Sequence, residues 1–425
     1  MQQRISPASG ISGSIVLPGD KSISHRYAMI AAISEGNTRI SNYSTGADCH
    51  STLGCVQALG IEVEGSGTEF VIHGKGLDGL RASRTDLDAG NSGSTIRMFS
   101  GILAAQAFRT RIFGDESLSR RPMQRIIQPL AAMGAQIHAH DGKFPPLEIE
   151  GSPLHAIDYT LPVPSAQVKT CVLFAGLFAE GVTTVTEPVR SRDHTELALR
   201  EFGAQITVEG HRIAVEGRPV LTGRDLVVPS DLSSAAFFLV AALLVPGSNL
   251  TIRGVGLNPT RSALLDFLVG MGARIRILEL DSRNGELVGD IAVQYSPLHG
   301  GVIEGALTAA LIDEIPVLAV LGAATETGIT VKDASELRIK ETDRIRTVVD
   351  NLRRLGVEAE ELPDGLVVPG RQAFHANVFD SCGDHRIAMA FAVAALRADG
   401  ESVIEGADAA SVSFPEFWQT LASLR

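Results

Sequence analysis

Apolar and polar positions in this chain are arranged in blocks. Six times, a short polar cluster opens an Ala-rich apolar run of helical length, followed by a Gly turn and a short β-branched stretch. The openings are Lys21-Ser22, Asn91-Ser92-Gly93-Ser94-Thr95, Ser165-Ala166-Gln167, Ser230-Asp231-Leu232, Asp313-Glu314-Ile315-Pro316 and Asp384-His385-Arg386. They recur at intervals of roughly 70 residues, so six units account for the chain. A second helix in five of the units ends in a matching phrase: Leu59-Gly60-Ile61, Met133-Gly134-Ala135, Phe202-Gly203-Ala204, Met271-Gly272-Ala273 and Leu355-Gly356-Val357. Glycine there suits a left-handed helix C-cap leading into a strand. The sixth unit is cut short at 414–425. Turn signals at Asp78-Gly79, Asp141-Gly142 and Asp364-Gly365 separate short strands.

The Ala-rich helices are apolar nearly all round, which predicts that they are buried against one another. The second helices carry polar faces (Arg344, Asp350, Arg353 and Arg354 in the fifth unit) and are expected outside. Three units per domain give two similar α/β domains. If the buried helices of a domain run parallel, their N-termini emerge on one face, and two such faces across a cleft would focus positive potential on a ligand.

Composition narrows the partners. A formal net charge of −12 argues against general nucleic-acid binding, so an anionic ligand needs a local cationic pocket. Cys49, Cys55, Cys171 and Cys382 form no CxxC pair and fit buried thiols in a reducing compartment. The start of the chain has no apolar signal segment, and the run 235–245 is far shorter than the ~18 residues of a membrane span. The expectation is a soluble, cytoplasmic monomer, with no metal and no cofactor.

The polar openings hold the candidate chemistry. Lys21, Ser22 and Arg26 follow a Pro18-Gly19 turn at a helix start, where free N–H groups and the helix dipole favour an anion. Alone, they fit a solvated basic turn, with Ser22 as a cap, better than an anion site. A Walker phosphate loop fails for want of the Gly-Lys adjacency. Gly93 lets a ligand approach the backbone of the Asn91 loop, and Ser165-Ala166-Gln167 offers a hydroxyl, an amide and open N–H groups. Both stretches also read as simple capping. Arg120-Arg121 can face anion or solvent. Asp313 suits a helix start or a general base. Lys340 and Arg344 read as one helical turn apart, where like charges repel unless Glu336 pairs with Lys340 or an anion lies between them. Arg386 adds a cation at another helix start. No GxGxxG follows a strand, so a dinucleotide is not implied.

Taken together, Pro18-Gly19-Asp20-Lys21-Ser22-Ile23-Ser24-His25-Arg26, Gly90-Asn91-Ser92-Gly93-Ser94-Thr95 with Arg97, Arg121-Pro122-Met123, Ser165-Ala166-Gln167, Arg338 with Lys340-Glu341 and Asp343-Arg344, and Asp384-His385-Arg386 closely resemble the 5-enolpyruvylshikimate-3-phosphate synthase family of enolpyruvyl transferases, over the full length. The resemblance implies two inside-out α/β domains, each of three βαβαββ-type repeats: 1–20 with 228–425, and 21–227, hinged near 20 and 228. It implies that Lys21, Ser22, Arg26, Ser165, Gln167, Asp313 and Lys340 hold shikimate 3-phosphate, with Ser191 near its phosphate. Phosphoenolpyruvate would be held by Lys21, Gly93, Arg121, Gln167, Arg344 and Arg386. The Ala166 backbone would contribute, and Asn91 would be a further substrate-binding residue. Asp313 would accept the 5-hydroxyl proton, and Glu341, with Lys21, would protonate C3.

A lysine that some members carry before the C-terminal Phe-Pro is missing from Ser411-Val412-Ser413-Phe414-Pro415. One rival is a UDP-N-acetylglucosamine enolpyruvyl transferase, which would show asparagine after the lysine and a loop cysteine; Ser22 follows Lys21 here, and 117–121 has no cysteine. The other is a non-catalytic anion- or RNA-end-binding relative, disfavoured by the acidic charge and by Asp313 with Glu341.

Overall fold

In the computed structural model, which describes residues 1–425, the helices that carry or adjoin the candidate residues are α1 (Lys21–Ala32), α2 (Gly93–Leu103), α3 (Ala166–Gly176), α4 (His194–Glu201), α5 (Leu232–Leu244), α6 (Ile315–Ala324), α7 (Arg344–Arg354) and α8 (His385–Ala395). Six of them are the Ala-rich runs. Five of these six start on a side-chain cap: Asp20 accepts from Ile23 N at 2.9 Å, Ser92 from Thr95 N at 3.0 Å, Ser165 from Val168 N at 3.4 Å, Asp231 from Ser233 N at 2.9 Å and Asp384 from Arg386 N at 2.9 Å. Each cap satisfies an N–H that the helix itself cannot, worth about 1 kcal/mol.

The chain divides into two units. Unit 1 comprises Met1–Pro18, Pro229–Ser282 and Leu287–Arg425; unit 2 comprises Gly19–Val228 and Arg283–Glu286. Each has its own apolar core. In unit 1, α5, α6 and α8 pack on one another, and every residue of α5 is buried. In unit 2, α2 packs against both α1 and α3.

Short sheets surround these helices, five of four strands and one of three. A representative one contains β1 (Glu35–Ser41), β2 (Glu62–Ser66), β3 (Glu69–Lys75) and β4 (Asp225–Val227) in the order β4-β1-β3-β2. β1 pairs antiparallel with β3 (Thr38↔Ile72) and parallel with β4 (Asp225↔Arg39). Thr38 and Ile40 point inward while Asn37 and Arg39 are exposed, the alternation of a sheet with one solvated face. The three-stranded sheet belongs to the shortened sixth repeat. There the chain's first strand, Gln2–Ile5, pairs with Ser402–Glu405 in register Gln2↔Glu405. Gly60, Gly134, Gly203, Gly272 and Gly356 all have φ between 83° and 101°, the left-handed C-cap that the repeated phrase demands.

Four expectations need correction. Asp313 does not open α6: the N-cap is Glu314, without a side-chain cap bond, and a short helix (Ala306–Leu311) precedes it. Lys340 and Arg344 do not share a helical face. A 3₁₀ turn covers Ser335–Ile339, Lys340 lies beyond it, and α7 begins afresh at Arg344, capped by Asp343. Arg344 is 1% exposed rather than on an outer polar face, because Asp384 draws it inward. Cys382 is exposed, whereas the other three thiols are buried.

Candidate functional site

Unit 2 gathers cations and hydroxyls at the N-terminal turns of α1, α2 and α3. The Pro18-Gly19 turn is tight: a Cβ on Gly19 would stand 1.8 Å from the Asn42 carbonyl oxygen, so only glycine fits before α1. Lys21 Nζ lies 2.8 Å from Asp48 Oδ2, with the two side chains 20% and 8% exposed. One turn on, Arg26 is 3% exposed. It donates from Nε to Thr195 Oγ1 at 2.7 Å, from one terminal nitrogen to the Ser22 carbonyl at 2.7 Å and from the other to Thr170 Oγ1 at 2.9 Å. Burial works against its charge and the Glu196 carboxylate supports it; the net shift is downward, to about 10.

Arg97 of α2 donates to Gln167 Oε1 at 2.9 Å, and Gln167 donates to Ser94 Oγ at 3.0 Å. These bonds join the first turns of α2 and α3, while Arg26–Thr170 joins α1 to α3. A Cβ on Gly93 would stand 2.9 Å from one Arg97 terminal nitrogen and 3.6 Å from one of Arg121, so the bare backbone leaves both guanidinium groups their positions. The adjacent arginines divide their tasks. Arg120 pairs with Glu116 at the surface, while Arg121 is 8% exposed and donates to Asn91 Oδ1 at 2.8 Å and Ser117 Oγ at 3.0 Å. Ser165 caps α3, and Ala166 is the first residue of that helix. Ser191 bonds to Glu187 Oε1, and its neighbour Arg192 reaches Ser22 Oγ at 3.5 Å. The ten candidates of unit 2 thus line one connected set of helix openings.

Unit 1 builds a second cluster around Asp313. Its carboxylate has Lys340 Nζ at 3.8 Å, Arg344 at 3.7 Å and Arg386 at 3.8 Å. Arg386 also donates to the Asp313 carbonyl at 2.8 Å, which locks the loop to the start of α8. Arg344 pairs with Asp384 at 2.8 Å and Glu341 at 2.5 Å. Burial opposes the Arg344 charge, but Asp384, Glu341 and Asp313 more than offset it and raise its pKa further. All five unit 1 candidates are therefore brought together. The helix openings also meet here: Ser233 of α5 donates to Glu314 Oε1 at 2.6 Å.

Three groups were missed by sequence reasoning. Asp48 lies 27 residues from Lys21 and shows no local signal. Arg192 was visible only as a neighbour of Ser191. Asp384 reads as a helix cap, which it is, but its second task, holding Arg344, depends on tertiary structure. Separately, Glu62, Glu64 and His73 place their ligand atoms within 4.8 Å of one another on the β2–β3 hairpin, where both carboxylates are solvent-exposed.

The sequence matches the family EPSP synthase (3-phosphoshikimate 1-carboxyvinyltransferase) over residues 5–421. It is 78% identical over 421 residues to a 3-phosphoshikimate 1-carboxyvinyltransferase of Solibacter usitatus (strain Ellin6076), covering 99% of both chains. It is 56% identical to the protein of that name from Koribacter versatilis (strain Ellin345), covering 98% of both. Among solved structures, an EPSP synthase from Acinetobacter baumannii superposes with a TM-score of 0.89 at 40% identity, over 100% of this chain and 98% of the other.

Proposed function

The chain belongs to the EPSP synthase family, and from that premise we propose how its own residues carry out the family's reaction: transfer of the enolpyruvyl group of phosphoenolpyruvate to the 5-hydroxyl of shikimate 3-phosphate, with release of inorganic phosphate. In unit 2, Ser22, Arg26, Ser165 and Ser191 bind shikimate 3-phosphate, with Gln167 on its hydroxyls. Lys21, Asn91, Gly93, Arg121 and the Ala166 backbone receive phosphoenolpyruvate. In unit 1, Lys340 binds shikimate 3-phosphate, and Arg344 and Arg386 grip the phosphoenolpyruvate carboxylate. Arginine forks suit both carboxylate and phosphate.

The reaction needs a base for the 5-hydroxyl and an acid for C3. Asp313 takes the hydroxyl proton as the oxygen attacks C2. Glu341, with Lys21, delivers a proton to C3. The product of this step is a tetrahedral adduct in which C2 carries both oxygens. Loss of a C3 proton then re-forms the double bond and expels phosphate from C2. Cations fixed by Asp48, Asp384 and the helix openings need no reorientation as charge shifts, which lowers the barrier.

The observation that carries this reading is Asp313 held by Lys340, Arg344 and Arg386, with Glu341 beside Arg344. It is tested by phosphate release from phosphoenolpyruvate with either acceptor. Release with shikimate 3-phosphate and none with UDP-N-acetylglucosamine is expected; the reverse refutes it.

A further inference from the structure

One turn behind the Ser165 cap, α3 carries Lys169, which is 0% exposed. Its ammonium lies 2.6 Å from Glu196 Oε1 of α4 and 3.1 Å from Glu187 Oε2. Both carboxylates are 2% exposed. Glu187 is otherwise engaged, since its second oxygen accepts from the Ser191 hydroxyl and N–H. Glu196 is not: its Oε2 is buried without a hydrogen-bond partner, and burial pushes its pKa up, with Lys169 pulling the other way.

A second buried cation, Arg26, feels the charge of Glu196. Its three hydrogen bonds all go to neutral oxygens, those of Thr195, Ser22 and Thr170, which leaves two of its five N–H groups unspent. It has no carboxylate within ion-pair distance, although Thr195 directly precedes Glu196 in the chain. A buried guanidinium beside a buried carboxylate normally pairs with it. Here the carboxylate is already taken.

We propose that Lys169 is a positioning residue: by holding Glu196 and Glu187 it prevents Glu196 from pairing with Arg26, and so keeps the Arg26 guanidinium available to an anionic group of shikimate 3-phosphate. The inference rests on the reading of Arg26 as a ligand of shikimate 3-phosphate. Within this group of four, Lys169 and Arg26 balance Glu187 and Glu196; Glu286, Asp20 and Arg192, which also act on Arg26, are unchanged in every variant below. Removing Lys169 alone leaves an excess negative charge behind the ligand's anionic group; removing Glu196 as well restores the balance.

The test is steady-state kinetics of the full chain with phosphoenolpyruvate and shikimate 3-phosphate. Lys169→Met is expected to raise KM for shikimate 3-phosphate about tenfold or more while KM for phosphoenolpyruvate stays within about threefold. Lys169→Met/Glu196→Gln is expected to return KM for shikimate 3-phosphate to within about threefold of the parent, a rescue that a packing defect would not allow. Glu196→Gln alone keeps the Lys169–Glu187 pair, remains informative if Lys169→Met does not fold, and should lower that KM. An unmoved KM in Lys169→Met, a double variant no better than the single, or a raised KM in Glu196→Gln overturns the inference while the activity of the parent stands. A parent that does not use shikimate 3-phosphate overturns both this inference and the functional reading.

Discussion

Replacing Asp313 by Asn separates binding from chemistry. The amide keeps the size of the side chain and leaves the bond from Arg386 to the Asp313 carbonyl in place. What disappears is one negative charge, 3.7 to 3.8 Å from Lys340, Arg344 and Arg386. At such a distance and an effective dielectric constant near 20, each attraction amounts to about 4 kcal/mol. The carboxylate is therefore a strong internal competitor for the cations assigned to the substrates. Without it, phosphoenolpyruvate should bind at least as tightly as before. The 5-hydroxyl, however, loses its base, and general-base contributions are about 10²- to 10⁴-fold. Asp313→Asn is expected to lower kcat by that factor, with KM for phosphoenolpyruvate unchanged or reduced. Phosphate release under saturating shikimate 3-phosphate, read together with isothermal titration of phosphoenolpyruvate, makes the measurement. A kcat within tenfold of the parent combined with a raised KM would show that Asp313 binds rather than takes the proton, and would refute the assignment.

The remaining predictions concern the other cluster and the core. Gly93→Ala places a Cβ 2.9 Å from Arg97 and 3.6 Å from Arg121; KM for phosphoenolpyruvate should rise about tenfold with no loss of thermal stability, since Ala favours helix over Gly by about 1 kcal/mol, and an unchanged KM counts against Gly93 as a ligand approach. Burial, aided by Lys21 and Arg26, holds His25 well below the usual histidine value of 6.5. The unfolded chain therefore binds a proton there that the folded one does not, and stability is lost as pH falls below 6.5, with a slope of up to about 1.4 kcal/mol per pH unit from this residue. Denaturant titrations between pH 7 and 5 should show a shallower decline for His25→Gln; parallel curves contradict the account. Burial raises the thiol pKa values of Cys49, Cys55 (to about 12) and Cys171, while Cys382 is exposed. Ellman's reagent should thus titrate one thiol in the folded protein and all of them in denaturant, and a second fast thiol would refute this.

What the sequence made legible was local. A cap residue followed by an apolar run carries its own signal, so the helix openings at Ser92, Ser165, Asp231 and Asp384 could be read directly, and so could the glycines that end the second helices; at the first opening the cap is Asp20 rather than Ser22, which lies inside the helix. What stayed hidden was tertiary. The Lys340–Arg344 spacing looks helical, but Glu341 and Asp384 pull Arg344 inward, and the chain passes from a 3₁₀ turn to a new helix between the two cations. Arg120 and Arg121 are identical in type and differ only in partners, Glu116 for one and Asn91 for the other. The carboxylates that hold the cations, Asp48 for Lys21 and Glu187 and Glu196 for Lys169, lie 18 to 27 residues away, beyond the reach of any local periodicity. The residue-level assignment within the helix openings came from the family resemblance, because a hydroxyl at a helix start is equally a cap and a ligand.

The most direct test of the central claim is to follow the fate of each phosphorus by ³¹P NMR when the protein is mixed with phosphoenolpyruvate and shikimate 3-phosphate. The account predicts that the phosphoenolpyruvate signal is replaced one for one by inorganic phosphate, while the shikimate phosphate is retained and shifts as its ring gains the enol ether. Loss of the shikimate phosphate, or persistence of the phosphoenolpyruvate signal at millimolar substrate, would contradict it.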